Sequence, residues 1–183
     1  MPELIGGLPL HALVVHFTVV LLPIAAVGAL LAAVWPAVRR RFGWLAVAAA
    51  AVSVVLVPIT TKSGENLEAG LGAETNPLVQ KHAELADLML YWTIGLFVAV
   101  TLLMVLHTMG ERRAKAAAAP ELDGGVGGVA TETRTQRSTG LTVAMIVVML
   151  ATVGLSIGTG IHIYRVGDAG AHAVWEDVGN NLK

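Results

Sequence analysis

Six histidines carry most of the chemical potential of this chain: His11, His16, His82, His107, His162 and His172. Imidazole binds metals through either ring nitrogen and exchanges a proton near neutral pH. There is no cysteine, so thiolate metal sites, thiol nucleophiles and cysteine-ligated clusters are excluded. Ser63 and Ser156 have no base at a recognisable motif spacing, and no glycine loop is built to cradle phosphate. A formal charge of −1 gives no electrostatic case for a nucleic-acid partner. The chemistry to look for is imidazole ligation, and the question becomes what holds the rings.

Composition answers the first part. Of 183 residues, 55% are hydrophobic and 14% charged, against about 25% charged in an ordinary soluble domain. Four runs are long and apolar enough to cross a bilayer, which takes about 20 residues of helix. They span Leu10 to Val34, Phe42 to Ile59, Leu88 to Leu106 and Leu141 to Ile163. Backbone groups in lipid must be satisfied within their own segment, so the four runs are expected to be helices. The expected fold is all-α: a single integral-membrane, up-down four-helix bundle over residues 1–183. No internal repeat stands out. The first run lacks a basic leader and is too long for a cleavable signal.

Charge orients this bundle. Arg39, Arg40 and Arg41 occupy the turn after the first run, and Arg112, Arg113, Lys115, Arg134 and Arg137 the connection after the third. The positive-inside bias places these loops in the cytoplasm and both termini outside, with the 60–80 connection. Residues 111–139, rich in alanine, glycine, threonine and charge, read as a flexible linker. On this topology five histidines come to the external end, and only His107 to the cytoplasmic one.

Depth then selects a pair. Pro9 and Pro77 suit first helical turns, and Thr75 or Asn76 can cap the later helix. At 1.5 Å per residue His16 and His82 lie roughly 10 and 8 Å into their helices. The first and third helices of an up-down bundle stand diagonally across its core. Matched imidazoles there suit a haem iron held from both faces, so the expectation is one b-type haem near the external face, with His16 and His82 as axial ligands. His11, about 140° around the helix from His16, cannot serve the same iron. It and His162 belong to the rim, where His162 is placed to reach a propionate, another histidine or interfacial water. Gly154, Gly158 and His162 form a stripe on the fourth helix that admits a flat ring or a neighbouring helix. Asp87 is a candidate to orient an imidazole on another helix, and Pro23 is expected to kink the first helix. His107 reads as an interfacial residue near a helix C-terminus, and His172 as solvated.

Two other classes stay open. The first is zinc or copper held by His11, His16, His82, His162 and carboxylates, although no pair has the i, i+4 spacing that aligns two ligands. The second is a non-catalytic subunit whose histidines fasten helices or sense pH. An electron-transfer or binding protein is favoured over a stand-alone enzyme, with a quinone or an external redox protein as partner.

The stretch Leu8-Pro9-Leu10-His11-Ala12-Leu13-Val14-Val15-His16-Phe17-Thr18 resembles the "LPLHPLVVHFP" signature of a bacterial family of predicted membrane proteins, classed as a domain of unknown function. Thr61-Lys62-Ser63-Gly64-Glu65-Asn66-Leu67-Glu68 with His82-Ala83-Glu84-Leu85 resembles its second hallmark, and Tyr164 to Trp175 an ending seen in actinobacterial members. Ala12 and Thr18 replace two family prolines. The resemblance carries over His11, His16 and His82, but not His162 or His172. It implies a four-helix domain of the bacterial cytoplasmic membrane, sometimes joined to Rieske-type iron–sulfur domains, and a layout similar to histidine-ligated cytochrome b bundles. It brings no activity with it.

Overall fold

A computed structural model describes residues 4–72, 76–117 and 139–181. A two-residue hairpin comes first, β1 (Leu4–Ile5) pairing antiparallel with β2 (Leu8–Pro9). Its turn is Gly6-Gly7, both at positive φ (59° and 83°), as a type I′ turn requires at its two central positions. Four helices follow: α1 (Leu10–Val34), α2 (Pro36–Leu71), α3 (Pro77–Ala117) and α4 (Thr139–Asn181). Prolines mark the starts. Pro9 precedes α1, while Pro36 and Pro77 are the first residues of α2 and α3. At that position the missing N–H has no carbonyl to serve. Asn76 caps α3, its Oδ1 accepting the Leu78 N–H at 2.9 Å.

All four helices are long and apolar enough to cross a membrane. Large apolar side chains cover the outside, among them Phe17, Ile24, Leu45, Val55, Val98 and Leu150. An apolar coat of this extent on a monomer needs a bilayer or a partner against it. The interior is instead built from small residues. Ala25, Ala26, Ala29, Ala46 and Ala50 are buried, packed around Leu96 and Val100. This is the membrane pattern, since lipid is as apolar as a protein core and close backbone approach sets the packing. Each helix packs on its sequence neighbour, α1 closes the ring against α4, and α1 touches α3 only sparsely. The up-down bundle, with α1 and α3 diagonal, is the expected architecture.

The helices overrun the apolar runs. At 36 residues α2 is about 54 Å long and continues past Ile59 to Leu71. Gly72 ends it in the left-handed conformation (φ 66°), which glycine adopts without a Cβ penalty. The 60–80 connection is therefore mostly helix, with residues 73–75 outside the described ones. At the opposite end Arg39 is buried. Its Nε donates to the Ala32 carbonyl at 2.7 Å and its Nη2 to that of Ala33. These carbonyls end α1 and have no helical N–H to bond. Arg40 and Arg41 are exposed, the latter over the Phe42 ring. Of the expected 111–139 linker, residues 111–117 continue α3, and 118–138 lie outside the described residues.

Candidate functional site

The site lies at the end of the bundle where α1 and α3 begin and α2 and α4 finish. His11, on the first turn of α1, brings its Nδ1 to 3.1 Å from the Thr60 carbonyl of α2 and to 3.2 Å from the Ser63 Oγ. His82, in the second turn of α3, brings its Nδ1 to 2.9 Å from the Val166 carbonyl of α4. A carbonyl only accepts, so each Nδ1 carries the proton. Each Nε2 is then a lone pair with no protein partner among the described residues. This is how a ligating histidine is usually held, with one nitrogen anchored and the other free.

The seats match as well. Four residues after Thr60 comes Gly64, where a Cβ would stand 3.2 Å from the His11 ring. Four residues after Val166 comes Gly170, where a Cβ would stand 3.0 Å from the His82 ring. Each imidazole therefore leans on a glycine one turn beyond the carbonyl it bonds. The arrangement repeats in α1/α2 and α3/α4, an internal two-fold correspondence that sequence comparison of the halves does not reveal. Both rings line one cavity of about 430 Å³, walled mainly by aliphatic side chains such as Val15, Leu22, Val57, Met89 and Ile163. The exposed carboxylates Glu65 and Asp87 and the half-buried Glu68 complete the lining. Asp87 orients neither imidazole; backbone carbonyls do that, joined at His11 by the Ser63 hydroxyl.

The other expected residues fall elsewhere. His16 is exposed, its Nδ1 bonded to the Ala12 carbonyl of its own helix, and it does not line the cavity. The structure thus brings His11, and not His16, to one cavity with His82, because the inner face of α1 passes through His11. His162 is buried, with Nε2 donating to the Leu85 carbonyl at 2.8 Å and its ring stacked on Trp92 at 6.0 Å between centroids. The stripe on α4 divides. Gly158 lies directly against the Trp92 ring, whereas Gly154 is exposed with nothing near its Cβ position. The flat ring that this stripe admits is an indole. At the other end His107 lies 3.4 Å from Glu111, and exposed His172 lies 3.9 Å from Asp168. Among the described residues no three histidines or carboxylates converge as a metal-binding group.

Compared with known families, residues 7–182 match the one described as predicted membrane protein, DUF2231. The chain belongs to this family. No curated protein and no solved structure matches it. Of the two departures of this DUF2231 protein from the signature, one acquires a local role: Thr18, in place of a proline, hydrogen-bonds the Thr60 hydroxyl at 2.7 Å, on the residue whose carbonyl holds His11. Sequence reasoning assigned no role to Thr60, Gly64, Val166 or Gly170. The signal that finds His11 was present in α1, where buried Ala29, Ala25, Leu22 and Thr18 step back in threes and fours to Val15 and His11. His16 is off that line by 100° or more.

Proposed function

We propose that this DUF2231 protein binds one b-type haem in the histidine-lined cavity, where His11 and His82 would hold its iron. The observation that supports this reading is the mirrored pair of anchored imidazoles, each with Nε2 free, on one apolar cavity. The donor set fits the group. Zinc takes four protein ligands in structural sites and three in catalytic ones, whereas haem brings four nitrogens of its own and asks the protein for two. The aliphatic part of the lining suits the macrocycle, and a volume of about 430 Å³ is within the range of small-molecule sites. When bound, a haem supplies reversible one-electron chemistry. The chain supplies the two nitrogens, fixes their tautomers through Thr60 and Val166, and makes room for the rings at Gly64 and Gly170. An electron-transfer role with a quinone or an external redox protein follows from this reading, at one rim of the bilayer, just beyond the apolar stretch ending at Ile59.

The test is the absorption spectrum of protein purified from haem-competent cells. The expected result is a Soret band that sharpens and shifts on dithionite reduction. His11→Ala and His82→Ala should each abolish it, while His16→Ala keeps it. Colourless wild-type protein, or a spectrum that depends on His16 and not on His11, overturns the proposal.

A further inference from the structure

The four seams of the bundle are not held alike. In the first hairpin α1 and α2 are tied by His11, by the Thr18–Thr60 hydroxyl pair and, at the far pole, by Arg39. In the second, His82 bonds Val166, His162 bonds Leu85, and the Trp92 ring stacks on His162. The short connection after Gly72 joins α2 to α3. Between α1 and α4, the first and last helices, no loop runs, and among the described residues no hydrogen bond or ion pair crosses. These two also pack less extensively than any other neighbouring pair. Arg39 does reach α4, its Nη2 lying 3.6 Å from Met149 Sδ, but at the pole opposite the histidines.

The histidine cavity extends to this weakest seam. Val19 of α1 and Ile163 of α4 line it, and the same two residues line a groove of about 400 Å³ where Val27 and Tyr164 are exposed. One layer of side chains thus stands between the cavity and the lipid-facing surface. On α4 the groove has Gly160 and Gly167, with nothing within 4 Å of either Cβ position. Val19, Leu22, Val57 and Ile163 belong to the membrane-spanning runs, so this part of the cavity lies at membrane depth. Exposing apolar surface to water costs about 25 cal/mol per Å². Exposing it to lipid forfeits almost none of that, because lipid is as apolar as the core. The α1–α4 seam is therefore the one that can part without breaking a hydrogen bond within a hairpin or stretching a connection.

From this asymmetry we infer that the α1–α4 seam is a lateral gate, through which the ligand of the histidine cavity enters from the bilayer. The two hairpins swing as units about the α2–α3 seam, and Val19 and Ile163 are the leaves that separate. A ligand taking this route is an amphiphile dissolved in the membrane, with an apolar body for the aliphatic walls and a group that meets two imidazole nitrogens. Haem is one such molecule, but the gate follows from how the hairpins are tied and not from the haem reading.

Distances between nitroxide labels, measured by pulsed electron spin resonance in lipid nanodiscs, test the gate. The chain has no native cysteine, so each label pair needs only two substitutions. Phe17→Cys with Tyr164→Cys spans the α1–α4 seam. Phe17→Cys with Lys62→Cys, and Glu84→Cys with Arg165→Cys, stay within a hairpin; all five positions are exposed. Each within-hairpin pair should give one narrow distance. The seam pair should give two, the longer exceeding the shorter by about 3.5–4 Å or more, the room that a flat ring in van der Waals contact requires. A single narrow distance across the seam, or equal spread in all three pairs, overturns the inference. Joining the seam cysteines with a bismaleimide should slow the uptake of haemin from lipid at least tenfold, read as growth of the Soret band. Equal uptake by linked and unlinked protein also overturns it. A split seam in a protein that takes up no haemin sinks the haem reading and sustains the gate. A red protein with an unsplit seam does the reverse.

Discussion

A histidine in a membrane bundle is defined less by its depth than by what its first nitrogen is tied to. His11 and His82 spend Nδ1 on another helix and keep Nε2 for the cavity, whereas His16 spends Nδ1 on its own helix and faces out. His162 reverses the pattern, spending Nε2 on Leu85 beneath a stacked indole. That indole is where a single carbon matters. Gly158→Ala drives a methyl into the Trp92 ring and is expected to cost about 1–3 kcal/mol, as overpacking generally does. Gly154→Ala meets nothing, and alanine is the better helix former by up to about 1 kcal/mol. Thermal unfolding in detergent should therefore fall for the first substitution and hold or rise for the second. A similar loss in both would mean that the stripe packs as one unit against something else.

At the scale of the element, the four spans were legible because their length and apolarity leave no other outcome in lipid. The diagonal relation of α1 and α3 followed from connectivity. What could not be read from hydrophobicity was the inward face of α1. Val19, Val20, Ile24 and Val27 are exposed while Leu22 is buried, so apolar residues surround the helix and no amphipathic contrast marks the interior. Small residues do mark it, through Ala25, Ala29 and Ala32, and His11 rather than His16 continues their line. The helical extension of α2 to Leu71 was also hidden, because charged residues beyond Ile59 read as a loop when only apolar runs are counted. The same alanine run ends at carbonyls that Arg39 caps. Arg39→Ala leaves the Ala32 and Ala33 carbonyls without that donor and is expected to cost about 1.5–3 kcal/mol, the usual range for hydrogen bonds to a charged group. Exposed Arg40→Ala should change stability little. Equal effects of the two would assign the loss to charge rather than to capping.

For the molecule as a whole, the arginine-rich start of α2 and the histidine end are opposite poles of one bundle, and the side each faces is a question of topology. The native chain has no cysteine, so single cysteines report without background. With the arginine pole inside, Asn66→Cys, at an exposed position near the far end of α2, should react with an impermeant maleimide on intact cells, and Arg40→Cys only after permeabilisation. The reverse labelling would invert the topology and put the cavity on the cytoplasmic rim. The paired seats have a consequence of their own at this scale. Each hairpin supplies one imidazole to the cavity, complete with its carbonyl anchor and its glycine, and neither supplies two. On the haem reading, pigment would then gauge docking and not merely folding, because two well-formed halves drifting apart would bleach together while staying fully helical.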